Sequence, residues 1–141
     1  MARIIAIDYG RVKSGLAVTD ELQLIANGLK TVPTKGLVGF LEDYCKREDV
    51  EGFVIGEPKQ MDYTDSESIK YIKPFMGRLK KMCPGKAIYR MDERFTSKMA
   101  FQTMIDSGIG KKARRNKKLV DTISATLILQ SFLMMKENNL I

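Results

Sequence analysis

The chain has 141 residues, a length that fits one domain and leaves no room for a two-lobed enzyme. Apolar residues make up 44% and charged residues 29%, an ordinary globular composition, and the formal charge of +7 suits a polyanionic partner such as nucleic acid. Histidine is absent, which excludes Ser-His-Asp and Cys-His nucleophile systems and every zinc site that needs imidazole, so chemistry must come from carboxylates, lysines, hydroxyls or metal ions.

Arg3 to Ile7 is a nearly continuous β-branched apolar run that stops at Asp8-Tyr9-Gly10. That pattern predicts a strand buried on both faces, central in a sheet. Gly15 to Thr19 and Ile25 to Val32, parted by a turn at Asp20-Glu21, add two strands, and their short connections predict an antiparallel meander. Leu37, Phe40, Leu41 and Tyr44 recur at helical spacing between Gly36 and Lys46, after which Gly52 to Gly56 reads as a buried fourth strand ended by Glu57-Pro58. Ser66 or Ser68 is then expected to cap a helix that carries Ile69, Ile72, Phe75, Met76 and Leu79 toward Met82, kinked or delayed by Pro74. Ala87 to Met91 reads as the fifth strand and delivers Asp92-Glu93-Arg94 at its end. Thr96 or Ser97 is expected to cap a short helix reaching Ser107-Gly108.

Ile109 to Lys118 is basic and without periodicity, hence a loop or disordered arm, and Leu119 to about Lys136 is the last helix. Its apolar residues are too many for one narrow stripe, so most of its circumference is expected to be buried. Right-handed crossovers lay the fourth and fifth strands parallel to the first, giving an α/β domain over residues 1–141: a five-stranded mixed sheet flanked by helices. Cys45 and Cys83 form no C-x-x-C pair and read as free thiols in a reducing compartment. No apolar run approaches the length of a membrane span or a signal peptide, so the expectation is a soluble, cytoplasmic protein.

Ligands of open α/β sheets gather outside the carboxyl ends of the parallel strands. Asp8 ends the first strand, Glu57 the fourth and Asp92-Glu93 the fifth, while Asp121 lies near the start of the last helix. Taken singly, Asp8 reads first as a strand-to-turn acid and Asp121 as a carboxylate favoured by the helix dipole. Asp121, however, sits among mostly apolar faces beside Ser124 and Ala125, where a charge is expected to be half-buried without an obvious partner. Clustered carboxylates repel one another, and a bound cation offsets the repulsion. All-oxygen ligation suits Mg²⁺ or Mn²⁺, and two such ions stabilise the attacking and leaving oxygens of phosphodiester hydrolysis. Strand alternation puts Glu93 on the face of Met91 and Tyr89 and Asp92 on that of Arg90 and Arg94; either acid remains open as the ligand. Lys111, Lys112, Arg114, Arg115, Lys117 and Lys118 place six cations within eight residues just before the Asp121 helix. Such runs are commonly solvated surface, but this one lies where phosphate would be held beside the acids, as do Lys13 and Arg94.

Ile4-Ile5-Ala6-Ile7-Asp8-Tyr9-Gly10 with Lys13, Gly15, Ala17-Val18 and Asp20, then Val54-Ile55-Gly56-Glu57-Pro58 and Met61-Asp62, then Asp92-Glu93-Arg94-Phe95-Thr96, then Val120-Asp121 with Ala125, closely resemble the YqgF (RuvX) family. The resemblance spans essentially the whole chain in the right order. It implies an RNase H-like fold akin to Holliday junction resolvases and a nuclease that matures the small-subunit ribosomal RNA precursor. It further implies Asp8, the pair Asp92-Glu93 and Asp121 as the metal-binding set. The implied partners are structured RNA or, second, branched DNA, together with pre-ribosomal particles. A Holliday junction resolvase acting on four-way DNA and a non-catalytic RNA-binding assembly factor are the alternatives. An Asp-x-Gly turn after a first strand also opens the actin-like ATPases, but those need two such domains. The sequence departs from the family pattern at Glu57, Tyr63 and Ser14.

Overall fold

A computed structural model describes residues 2–57, 69–92 and 117–137. Strand β1 (Arg3–Asp8) pairs antiparallel with β2 (Lys13–Thr19), which pairs antiparallel with β3 (Ala26–Pro33). A 3₁₀ turn (Thr34–Gly36) leads into α1 (Leu37–Arg47), and β4 (Val50–Glu57) returns parallel to β1. Helix α2 (Ile69–Met82) then crosses to β5 (Ala87–Asp92), parallel to β4, and α3 (Lys117–Glu137) is the last described element. The sheet order is β3-β2-β1-β4-β5, as the meander and the right-handed crossovers predict. With β1 at its centre, this is the expected mixed sheet of an RNase H-like fold.

The period of two sorts the strand residues into two cores. Ile5, Ile7, Leu16, Phe53 and Ile55 pack with Leu37, Leu41, Ile72, Phe75 and Leu79 beneath α1 and α2. Ile4, Ala6, Ala17 and Val54 pack with Ala125, Ile128, Leu129 and Phe132 of α3. The alanines on this second face let α3 lie close to the sheet, and Tyr89 meets Phe132 with ring centroids 4.8 Å apart. Each large aliphatic or aromatic side chain buried in this way contributes roughly 1.5–3 kcal/mol.

Pro74 does not delay α2, which begins five residues before it and continues to Met82, the span its apolar spacing predicts. The proline ring and Lys70, whose carbonyl would have received the missing amide, are both exposed, so that carbonyl is open to water. Lys117 and Lys118 are the first residues of α3 rather than part of an arm. Along α3, Ser124, Ala125, Ile128, Leu129 and Phe132 are buried against the sheet, Ile123, Thr126, Leu127, Ser131, Leu133 and Met135 are half-buried, and between positions 123 and 135 only Gln130 and Met134 are exposed. The expected caps at Ser66 or Ser68 and the helix from Thr96 or Ser97 lie outside the described residues.

Candidate active site at the carboxyl edge of the sheet

Asp8, Glu57 and Asp92 are the last residues of β1, β4 and β5, the three parallel strands, and so share one edge of the sheet. The registers Ile7↔Ile55 and Glu57↔Asp92 bring those ends level. Alternation separates them by face. Ile4 and Ala6 lie under α3, and Asp8 continues their parity, so it belongs to the α3 face, where it is half-buried. Positions 57 and 92 carry the parity of Phe53, Ile55 and Ile88, which pack on the α1/α2 side. Tyr89 and Met91, whose parity position 93 would continue, pack on the α3 side with Asp8.

Helix α3 brings Asp121 to the same edge because of the direction in which it runs. Near its carboxyl end Lys136 donates to Gln23 Oε1 at 2.5 Å and pairs with Glu51 at 3.6 Å, while Gln23 Nε2 donates to the Ala2 carbonyl at 2.8 Å. Ala2 and Glu51 stand at the amino ends of β1 and β4, so α3 is antiparallel to both strands. Position 121 lies about 22 Å back along the helix from Lys136, at ~1.5 Å per residue. Strand β1 is about 17 Å long from Arg3 to Asp8, at ~3.3 Å per residue. The amino-terminal turns of α3, bearing Lys117, Lys118 and Asp121, therefore reach the level of Asp8 and just beyond it.

The turn after Asp8 is locked by hydroxyls. Ser14, fully buried, accepts from the Gly10 amide at 3.3 Å and shares a hydrogen bond of 2.8 Å with Thr34 Oγ1. The Thr34 hydroxyl in turn donates to the Gly10 carbonyl at 2.6 Å, and its amide donates to the Val12 carbonyl at 2.9 Å. Gly10 is obligatory here, since a Cβ would stand 2.2 Å from the Lys13 carbonyl oxygen. Ser14 thus closes a polar knot that ties the loop behind Asp8 to the start of the 3₁₀ turn. One signal for it existed in the sequence, a lone hydroxyl before an otherwise apolar strand. Tyr9 is buried against Phe75, with centroids 5.1 Å apart, and burial pushes its phenol up, partly countered by Arg78.

Lys13 begins β2, two residues before the Gly15 that registers with Asp8, and is half-buried. Of the remaining expected residues, Glu93, Arg94, Lys111, Lys112, Arg114 and Arg115 lie outside the described residues. Among the described residues no three acids or thiols converge as a metal site. Of the expected acids only Asp8 has a described side chain.

A family model described as RuvX, Holliday junction resolvase, matches residues 2–135. The chain belongs to the RuvX family. Its relatives include proteins named as candidate pre-16S rRNA nucleases in Flavobacterium johnsoniae, 54% identical over 96% of this chain and 99% of that one, and in Porphyromonas gingivalis, 56% identical over 94% and 96%. Membership makes the chain a nuclease of the hydrolase class. Among solved structures, Thermus thermophilus RuvC in complex with a Holliday junction substrate matches with a TM-score of 0.55 and 20% identity over 96% of each chain. RuvC of the same organism matches again with a TM-score of 0.50 and 18% identity, covering 95% of this chain and 96% of that one. At these identities the likeness speaks for the RNase H-like fold alone. The RuvX resemblance and the five-stranded architecture expected from the sequence are both borne out.

Proposed function

We propose that the protein is a divalent-metal-dependent nuclease that hydrolyses phosphodiester bonds in the small-subunit ribosomal RNA precursor, in the cytoplasm. One observation supports the reading: α3 runs antiparallel to β1, so its amino-terminal turns, which include position 121, lie level with the carboxyl end of β1, where Asp8 stands. The donor chemistry fits a hard cation, since histidine is absent and Cys45 and Cys83 lie on the α1/α2 side. Asp8 and Asp121, with Glu93 or Asp92 from the end of β5, would hold Mg²⁺ or Mn²⁺. Such an ion, when bound, would supply Lewis-acid polarisation of the attacking water and of the phosphate and would offset the charge that develops on it.

The rest is the work of the chain. The Asp8 carboxylate is half-buried at the sheet edge, and the Ser14–Thr34–Gly10 knot holds the following turn, so a ligand at Asp8 is met by a preorganised loop. Lys13, Arg94, Lys111, Lys112, Arg114, Arg115, Lys117 and Lys118 supply cations that bind backbone phosphate and orient the scissile bond, a role that carries no base specificity. The choice of ribosomal RNA is supported by the names of relatives that are 54% and 56% identical over nearly their full length.

The test offers labelled pre-16S RNA and four-way DNA to purified wild type, Asp8→Asn and Asp121→Asn, with and without Mn²⁺. Wild type should cut the RNA only with metal. Both variants should lose at least about 100-fold in rate, the scale of several kcal/mol of lost charge stabilisation, while metal-free RNA binding holds or tightens. Cleavage of the junction and not the RNA would replace this substrate with branched DNA. Binding without any cleavage would favour a non-catalytic assembly factor, and full activity in both variants would overturn the assignment of the acids.

A further inference from the structure

We infer that the solvent face of α2 is a second phosphate-binding track, which carries one strand of the nucleic-acid substrate away from the carboxyl edge along the α1/α2 side of the molecule. The inference rests on the nuclease reading but uses none of its proposed site residues. Helix α2 has five cations, Lys70, Lys73, Arg78, Lys80 and Lys81, and no acid in its 14 residues. All five are exposed, whereas Ile72, Phe75 and Leu79 point into the core. At 3.6 residues per turn, Lys70 and Lys81 lie opposite that buried stripe, with Lys73 and Lys80 along one flank.

The neighbouring helix on the same side of the sheet serves as an internal comparison. Helix α1 has two acids, Glu42 and Asp43, against two bases, Lys46 and Arg47, and pairs Lys46 with Glu42 at 3.4 Å. A face that needed only solubility would look like α1. That of α2 has a single sign, which repels itself along the helix unless an anion lies on it.

Two further features suit a close-lying backbone. Gly77 sits in the middle of the exposed face, in an interior helical position that disfavours glycine, and a Cβ there would meet nothing within 4 Å. Gly39 of α1 is equally open, so the glycine by itself marks no ligand, but it leaves the middle of the α2 face free for a backbone to lie close. The track also begins in the right place. Tyr71 in the first turn of α2 lies under the Arg11 guanidinium, 4.6 Å from its ring centroid, and Arg11 belongs to the turn that follows Asp8. From Lys70 to Lys81 the face runs about 16 Å at ~1.5 Å per residue, the length of about five nucleotide steps at ~3.4 Å each along a duplex.

The test compares Lys73→Gln/Lys80→Gln/Lys81→Gln with a charge-matched control on the neighbouring segment, Lys35→Gln/Lys46→Gln/Arg47→Gln. Metal-free binding to single-stranded RNA, duplex RNA and four-way DNA is measured from about 50 to 200 mM salt, with circular dichroism to verify the fold. The α2 variant should bind at least tenfold more weakly at about 100 mM salt and lose about 2 from its log–log salt slope, at ~0.7–0.9 per lost contact. The control should shift binding less than threefold. The arm that loses most identifies whether RNA or DNA lies on the track. Equal losses in the two variants would reduce the effect to net charge and overturn the inference. So would wild-type binding in the α2 variant, and cleavage by that protein would then leave the nuclease reading intact. A wild type that binds none of the three probes would sink both.

Discussion

Side chains that never touch a substrate decide how firmly Asp8 is held. Ser14→Ala would strand the Gly10 amide and take a partner from Thr34 in a buried site, at a cost of about 1–3 kcal/mol. Urea denaturation should read this as a lower midpoint with an unchanged slope, and if turnover requires the locked turn, activity should fall more than the lost folded fraction explains. Cys45 makes a second prediction at this scale. Burial, together with the Cys83 thiol beside it, pushes its thiol up to about 11. The folded state thus retains a proton that the unfolded thiol gives up near pH 8.5–9. Its contribution to stability is full below that range and is lost as the pH rises from about 9 toward 11. Thiol labelling of the native protein at pH 8 should accordingly be slow at Cys45 and become fast in denaturant.

Among the elements, α2 carries the clearest conflict between stability and the use we assign to it. Gly77→Ala has room for its methyl group and should raise stability by about 0.5–1 kcal/mol, visible as a higher Tm. If the glycine serves close approach of a backbone, the same variant should bind nucleic acid less tightly; a stabilised variant with unchanged affinity would show that the position is merely tolerated. Helix α3 differs in that its anchor and its proposed working end are at opposite ends. The Lys136–Glu51 and Lys136–Gln23 contacts are exposed and worth little in energy, up to about 1 kcal/mol. The buried stripe from Ala125 to Phe132 is what keeps the helix antiparallel to β1.

At the scale of the whole molecule, two cores share one sheet, and neither can melt without exposing the strands of the other. Phe53→Ala on the α1/α2 side and Phe132→Ala on the α3 side should each cost about 3–5 kcal/mol. Both should lower a single transition, with far-ultraviolet circular dichroism and tyrosine fluorescence coincident; two separated transitions in either variant would show that the layers fold independently. The amino edge offers a further contrast with the acid-bearing edge. There Leu24, Ile25 and Met134 line a shallow groove of about 640 Å³ together with Leu133 and Lys136. It lies at the end of α3 remote from position 121, so this groove and the expected chemistry do not coincide.

The strands and their order were legible in the chain because a period of two, β-branched runs and turn-length gaps are local properties of consecutive residues. So was the placing of Asp8, Glu57 and Asp92 at strand ends, since an acid that terminates an apolar run announces itself. Where α2 starts relative to Pro74 was not legible, because a proline lacks its amide proton wherever it falls; its exposed position inside the helix leaves the Lys70 carbonyl open to water. Only the tertiary structure could show that Lys136 meets Gln23 and Glu51, and hence that α3 runs antiparallel to β1 and carries position 121 to the edge where Asp8 stands. That convergence joins residues 113 positions apart, a separation across which no sequence period carries information.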